Sequence, residues 1–196
     1  MFTVGHQQLP LEQYAQQMLM RSILNAQHFC EQRLGTNSVS QREIQRCFNL
    51  INFFWKLKYD EHETEPDAMK CIALSLALIY YFRLPTKEDN NQRIGCTTPS
   101  REELGEVLDR TLPDFVHLVQ NELNKFVNTD NFVIPPGVAI NQAVSEHIFA
   151  IVVSIVTRTP LCIIGDPGQS KTLSFQIVLQ NLHSFVSDRN ILDPKM

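Results

Sequence analysis

One short stretch in the last fifth of the chain limits the folds open to it: residues 160–173 read PLCIIGDPGQSKTL. The apolar run 161–164 lies between a proline and a glycine, which favours a strand buried on both faces of a parallel sheet. Gly165 and Gly168 then allow a tight turn whose backbone N–H groups point inward toward an anion. The order of strand, glycine-containing loop and helix is typical of phosphate-binding loops.

The residues after this turn supply the rest of a phosphate-binding chemistry. Lys171 would reach the β- and γ-phosphates of ATP, the Thr172 hydroxyl would bind Mg²⁺, and the helix expected from Leu173 to Phe185 adds the positive end of its dipole. Ser170 stands where a second glycine is usual, and left-handed dihedrals there would cost about 1 kcal/mol. A fortuitous strand-to-helix turn is the alternative. The predicted phosphate-binding residues are Gly165, Asp166, Pro167, Gly168, Gln169, Ser170, Lys171 and Thr172.

The position of the loop argues against a complete enzyme. Residues 173–196 follow it, and they contain no strand that ends in Asp or Glu. A phosphate-loop NTPase needs such a residue to hold Mg²⁺ and orient water, and usually an arginine to stabilise charge in the transition state. The preceding residues read as helices rather than as displaced strands. We therefore expect no catalytic residue in this chain, which disfavours a small kinase or GTPase.

Composition favours a soluble globular protein without nucleic-acid binding. The 196-residue chain is 43% hydrophobic and 19% charged, as globular domains are. Its formal charge is −4 and its basic residues are scattered, whereas nucleic-acid-binding domains carry basic patches. The longest apolar segment, 68–84, is interrupted by Lys70 and Arg83 and is too short to span a membrane. We expect a buried helix there and no transmembrane segment.

Cysteine spacing gives no sign of a metal centre. The five cysteines form no C-x-x-C pair and no Cys/His cluster with zinc-site spacing, so we predict no zinc site and reduced, mostly structural thiols. The N-terminus lacks the basic and apolar regions of a signal peptide. These features point to the cytosol or nucleus, and we expect a cytoplasmic protein. The cysteines are Cys30, Cys47, Cys71, Cys96 and Cys162.

The chain before the loop reads mainly as helices. Ser40 and Glu43 have the spacing of a capping box, which opens a helix with an apolar stripe from Ile44 to Trp55. After Asp130 the pattern changes, and we predict a helical region at 1–130 followed by the start of an α/β module at 131–196. The other expected elements are helices over 11–34, 66–84 and 138–157, a loop over 86–98, helix starts at Thr98-Pro99 and 111–114, and a short strand over 132–134.

Two groups of residues resemble a known family. Residues 40–46, SQREIQR, look like the Ser-x-Arg-Asp/Glu-Ile-x-Arg segment in the helical lid of AAA+ modules of the dynein-related and mysterin type. Residues 165–173 look like the loop of the mysterin-like AAA+ RING-type E3 ubiquitin ligases, in which a serine precedes the lysine as Ser170 does here. The stretch from Pro135 through Asn141 and Glu146 looks like the family's lead-in to the loop.

The resemblance implies a mostly α-helical lid followed by the start of an α/β P-loop (AAA+) nucleotide-binding module. The chain would be a fragment that spans a module junction and binds ATP and Mg²⁺, with the remainder of the AAA+ parent or neighbouring modules as partners. Arg42 resembles the lid arginine that senses nucleotide phosphate; an exposed helix arginine is the alternative. Glu146 is expected to face solvent. Ubiquitin transfer, and contact with ubiquitin machinery, would belong to the parent.

A non-enzymatic function remains as the alternative. In this interpretation the loop is vestigial and the chain is a helical protein-interaction module. Its apolar faces over 44–55 and 68–82 would then bind partner helices.

Overall fold

A computed structural model of the protein describes residues 11–57, 67–91, 98–128, 132–165 and 168–188. Regular secondary structure in these ranges is entirely helical, and the chain divides into two compact units, Met1–Val119 and Gln120–Met196. The prediction of a mostly helical chain is confirmed. The helices are α1 (Gln13–Leu34), α2 (Gln41–Lys56), α3 (Ala68–Leu76), a π-helical turn (Ala77–Tyr81), α4 (Lys87–Asn91), α5 (Arg101–Asp109), α6 (Phe115–Phe126), α7 (Gln142–Thr157) and α8 (Lys171–Asp188).

The capping box at the start of α2 is present as predicted. The Glu43 carboxylate accepts hydrogen bonds from the Ser40 backbone N–H and hydroxyl, both at 2.7 Å. The Ser40 hydroxyl in turn accepts from the Arg42 N–H at 3.2 Å. Partial burial alone would raise the pKa of Glu43, but the hydrogen bonds from Ser40, together with the Glu43 backbone N–H and the charge of Arg46, lower that pKa. The first turn of α2 is therefore fixed by local polar contacts.

The apolar stripe of α2 and most of α3 form the core of the first unit. Cys47, Ile51 and Phe54 are fully buried, and every residue from Cys71 to Ala77 is buried. Of the segment 68–84, expected to be a buried helix, residues 68–81 are helical and 71–77 are buried throughout. Part of both faces named in the interaction alternative packs inside this unit, where α2 lies on α3, whereas Ile44, Trp55 and Leu78 are only half-buried. That alternative stays a prediction.

A π-helical turn continues α3 and places two adjacent tyrosines in different surroundings. The Phe82 N–H donates to the Ala77 carbonyl at 2.9 Å, which is the five-residue spacing of a π-turn. Tyr80 is buried, and its hydroxyl accepts a hydrogen bond from the Gln27 amide at 2.8 Å. Tyr81 packs edge-on against Phe115, with ring centroids 5.4 Å apart.

Two expectations for the segment before α5 are wrong. The predicted loop over 86–98 contains the short helix α4, although 92–97 lie outside the described residues. The next helix is capped by Ser100 rather than by Thr98, and it begins at Arg101 instead of Pro99. Ser100 is the N-cap residue because Glu103 lies three residues later and completes a capping box, a pairing that Thr98 lacks.

The two predicted strands are absent. Residues 132–134 and 161–164 belong to no strand, and the run that we expected to be buried on both faces leaves Leu161 44% and Ile164 88% exposed. Within the described ranges the backbone of 161–164 makes no hydrogen bond. A strand needs a hydrogen-bonded neighbour, and the part of the chain that the structure describes supplies none.

The second unit is built on α7 packed against α8. Its core contains Ile148, Phe149, Ile177 and Val178. The expectation that Glu146 faces solvent is wrong, since it is only 7% exposed and accepts a hydrogen bond from the Gln142 amide at 2.9 Å. The helix α7 is apolar around most of its circumference, so little of it is left for water. In the described ranges no helix is long and apolar enough to cross a bilayer.

Candidate functional site: the loop before α8

The loop between residue 165 and α8 contains two residues in the left-handed backbone conformation. Gly168 has φ 86° and Ser170 has φ 55°, both in the left-handed region, whereas Gly165 does not have a positive φ. Gly168 therefore uses the freedom expected of a glycine. Two predicted site residues, Asp166 and Pro167, lie outside the described residues.

Ser170 has the left-handed conformation for which the sequence analysis predicted a strain energy. For an L-residue this geometry is unfavourable by about 1–2 kcal/mol. Part of the compensation lies in the first turn of α8, where the Ser174 N–H and hydroxyl both donate to the Ser170 carbonyl, at 2.9 and 3.0 Å. Ser174 is fully buried, so these bonds hold the end of the loop against the helix.

Lys171 turns its side chain back into the loop. Its ammonium donates to the Gly165 carbonyl at 2.8 Å, so the first residue of α8 reaches the first residue of the loop. This places a positive charge beside the helix N-terminus, where unpaired backbone N–H groups and the helix dipole already favour an anion. The group that the sequence assigns to phosphate binding is thus within the loop rather than in solvent.

Gln169 also folds over Gly165. Its side-chain oxygen occupies the space that a Cβ on residue 165 would need, and the Lys171 Nζ lies 3.7 Å from that same point. A Cβ at residue 165 would have to displace this flexible amide end, so neither φ nor this contact requires a glycine there. The sequence analysis placed Gln169 among the phosphate-binding residues without assigning a role to its side chain.

Thr172 is exposed in the first turn of α8. One hydroxyl fits Mg²⁺ in a nucleotide site, since this ion is usually held by one or two protein groups together with water and phosphate oxygens. Among the described residues there is no cluster of three or more His, Cys, Asp or Glu side chains. The Thr172 hydroxyl is thus one group of the loop that could hold such a metal.

Arg42, the predicted lid arginine, lies on the first unit. Its side chain is exposed in the first turn of α2, directly after the Ser40 cap. This placement suits both interpretations, a phosphate sensor and an ordinary surface arginine. Its role stays a prediction.

Asn181 is a structural residue of the second unit that sequence reasoning missed. It is 1% exposed on α8, and its side-chain amide makes paired hydrogen bonds with the Val133 backbone. The Val133 N–H donates to the Asn181 Oδ1 at 2.7 Å, and the Asn181 Nδ2 donates to the Val133 carbonyl at 3.0 Å. The signal available in the sequence was a polar residue one turn after Ile177, on the buried stripe of α8.

Three of the cysteines that the structure describes are shielded from solvent. Cys30, Cys47 and Cys71 are buried, Cys162 is exposed, none of these four is in a disulfide, and Cys96 lies outside the described residues. Burial raises the pKa of the Cys30 and Cys47 thiols and of the Tyr80 hydroxyl. These groups stay protonated at neutral pH, which suits a core role and not a nucleophilic one.

Comparison with known proteins relates the second unit to AAA domains. Residues 137–194 match the sequence model of a family described as "RNF213 AAA domain". This range contains α7, the loop and α8. Since AAA domains as a class bind nucleotides, the match relates the segment to nucleotide binding in general.

Three curated proteins show similarity over longer or shorter ranges. An E3 ubiquitin-protein ligase rnf213-beta from Danio rerio is 26% identical over 148 residues, covering 71% of this chain and 3% of that protein. An E3 ubiquitin-protein ligase RNF213 from Homo sapiens is 25% identical over 156 residues, with the same coverage of 71% and 3%. A putative uncharacterized transmembrane protein from Dictyostelium discoideum is 55% identical over 51 residues, covering 26% of this chain and 1% of that protein. No solved structure matches the chain.

These matches confirm the resemblance to mysterin-like AAA+ proteins that the loop residues indicated. The chain spans only 1–3% of the length of these relatives. It is therefore similar to a small portion of a very large protein.

Proposed function

We propose that residues 165–172 bind the phosphates of ATP as part of a mysterin-like AAA+ module. The observation that carries this proposal is the Lys171 ammonium, which lies inside the loop on the Gly165 carbonyl at 2.8 Å. In this position it adjoins the N-terminus of α8, where phosphate oxygens would find both a full positive charge and free backbone donors. The AAA-family match over 137–194 supports the same reading.

Each described residue of the loop has a separate part in binding. Gly168, at φ 86°, turns the backbone so that its N–H groups line the loop. Lys171 exchanges the Gly165 carbonyl for β- and γ-phosphate oxygens, and the Thr172 hydroxyl takes one position on Mg²⁺. The bound Mg²⁺ neutralises phosphate charge. We assign no catalytic residue to this chain, so hydrolysis requires residues from elsewhere.

The rest of an AAA+ module would complete this loop. The exposed apolar run 161–164 becomes the first strand of an α/β sheet when neighbouring strands pair with its free backbone groups. Under this proposal the chain joins the lid of one module, at 1–130, to the start of the next, at 131–196, and Arg42 senses phosphate in the preceding module. The remainder of the parent and adjacent modules are then the partners.

Two of the relatives are named E3 ubiquitin-protein ligases. We propose the same activity for the parent of this chain and a cytoplasmic location for it. No residue of this chain has an assigned part in ubiquitin transfer, so contact with ubiquitin machinery would be made elsewhere in the parent.

Calorimetric titration of the chain with ATP, with and without Mg²⁺, tests the loop directly. We expect Mg²⁺-dependent binding that weakens at least about tenfold in Lys171→Ala, the effect of losing roughly 1.4 kcal/mol from a charge-assisted contact. Lys56→Ala is the matched control, because Lys56 is an exposed lysine at the end of α2. Equal affinity in the wild type and Lys171→Ala would contradict the proposal.

A further inference from the structure

We draw no further inference here: the strongest candidate, the exposed apolar patch that Phe175 and Leu179 form one turn apart on α8, carries none, because nothing in the structure shows what covers it.

Discussion

The Asn181 side chain joins α8 to the segment at 132–134, and its removal should destabilise that connection. Asn181 is nearly fully buried, and its amide both accepts from and donates to the Val133 backbone, at 2.7 and 3.0 Å. In Asn181→Ala the Val133 N–H and carbonyl lose these partners. The third bond of the side chain, to the Ile177 carbonyl at 2.8 Å, stays within one turn of α8.

The expected loss follows from the number of long-range bonds. Each of the two bonds to Val133 contributes about 1 kcal/mol net, and leaving partly buried backbone groups without partners adds to that. Alanine recovers about 0.5 kcal/mol through its higher helix propensity. The bond to Ile177 adds little, since that carbonyl also accepts the backbone hydrogen bond of the helix. We therefore expect Asn181→Ala to destabilise this contact by about 2 kcal/mol.

Amide hydrogen exchange at Val133, followed by NMR, measures this contact directly. A loss of about 2 kcal/mol should speed its exchange about 30-fold. Asn124→Ala is the matched control, because Asn124 is exposed on α6, where it accepts a hydrogen bond from the Gln120 amide at 3.3 Å. That variant should stay within about 0.5 kcal/mol of the wild type. If the Val133 amide exchanges at the same rate in Asn181→Ala and in the wild type, the reasoning is refuted.

The remaining predictions concern the first unit. Cys47→Ala should flatten the fall in unfolding free energy above about pH 8.5, because burial raises the pKa of the Cys47 thiol and the unfolded chain loses its proton first; an unchanged dependence of the urea midpoint on pH would oppose this. Gly105→Ala gains about 1 kcal/mol of helix propensity, but its Cβ would lie 2.9 Å from the Val116 Cγ2, an overpacking worth about 1–3 kcal/mol, so the thermal midpoint should not rise. Adding Val116→Ala should raise the midpoint above that of Gly105→Ala, and a failure to do so would exclude that clash. Ser40→Ala should cost about 1 kcal/mol at pH 7 by urea unfolding. Because Glu43 has a lowered pKa, the stabilisation from its contacts with Ser40 should be complete above about pH 4.3 and lost as pH falls through the folded value. An equal cost of Ser40→Ala at pH 7 and at pH 3 would speak against this.

Local sequence signals predicted the helices better than any other part of the fold. The Ser40–Glu43 capping box and the apolar stripe of α2 lie within a few turns of each other, so the information that fixes them is close in sequence. The strand expected at 161–164 depends on neighbours, and no neighbouring strand is found in the described part of the chain. The apolar composition of 161–164 indicated a buried strand, but it did not indicate which strand would pair with it.

In the candidate site too, some features could be predicted from the sequence and others could not. The left-handed Ser170 follows from its place in the loop pattern, and the return of Lys171 to the loop follows from its chemistry. The position of Gln169 over Gly165 depends on the path of the backbone, which a one-dimensional pattern does not contain. Glu146 was misplaced for a related reason: a charged residue on a helix is usually exposed, but here tertiary packing encloses it.

The π-helical turn has a consequence for how insertions and deletions would act on the first unit. In a regular α-helix neighbouring residues point about 100° apart, and widening one turn changes the direction of every side chain after it. The turn at Ala77–Tyr81 lets Tyr80 meet Gln27 while Tyr81 meets Phe115. Deleting one residue there would restore the α-helical pitch and rotate one of these rings away from its partner. The length of this segment, and not only its apolar composition, is therefore part of what specifies the core.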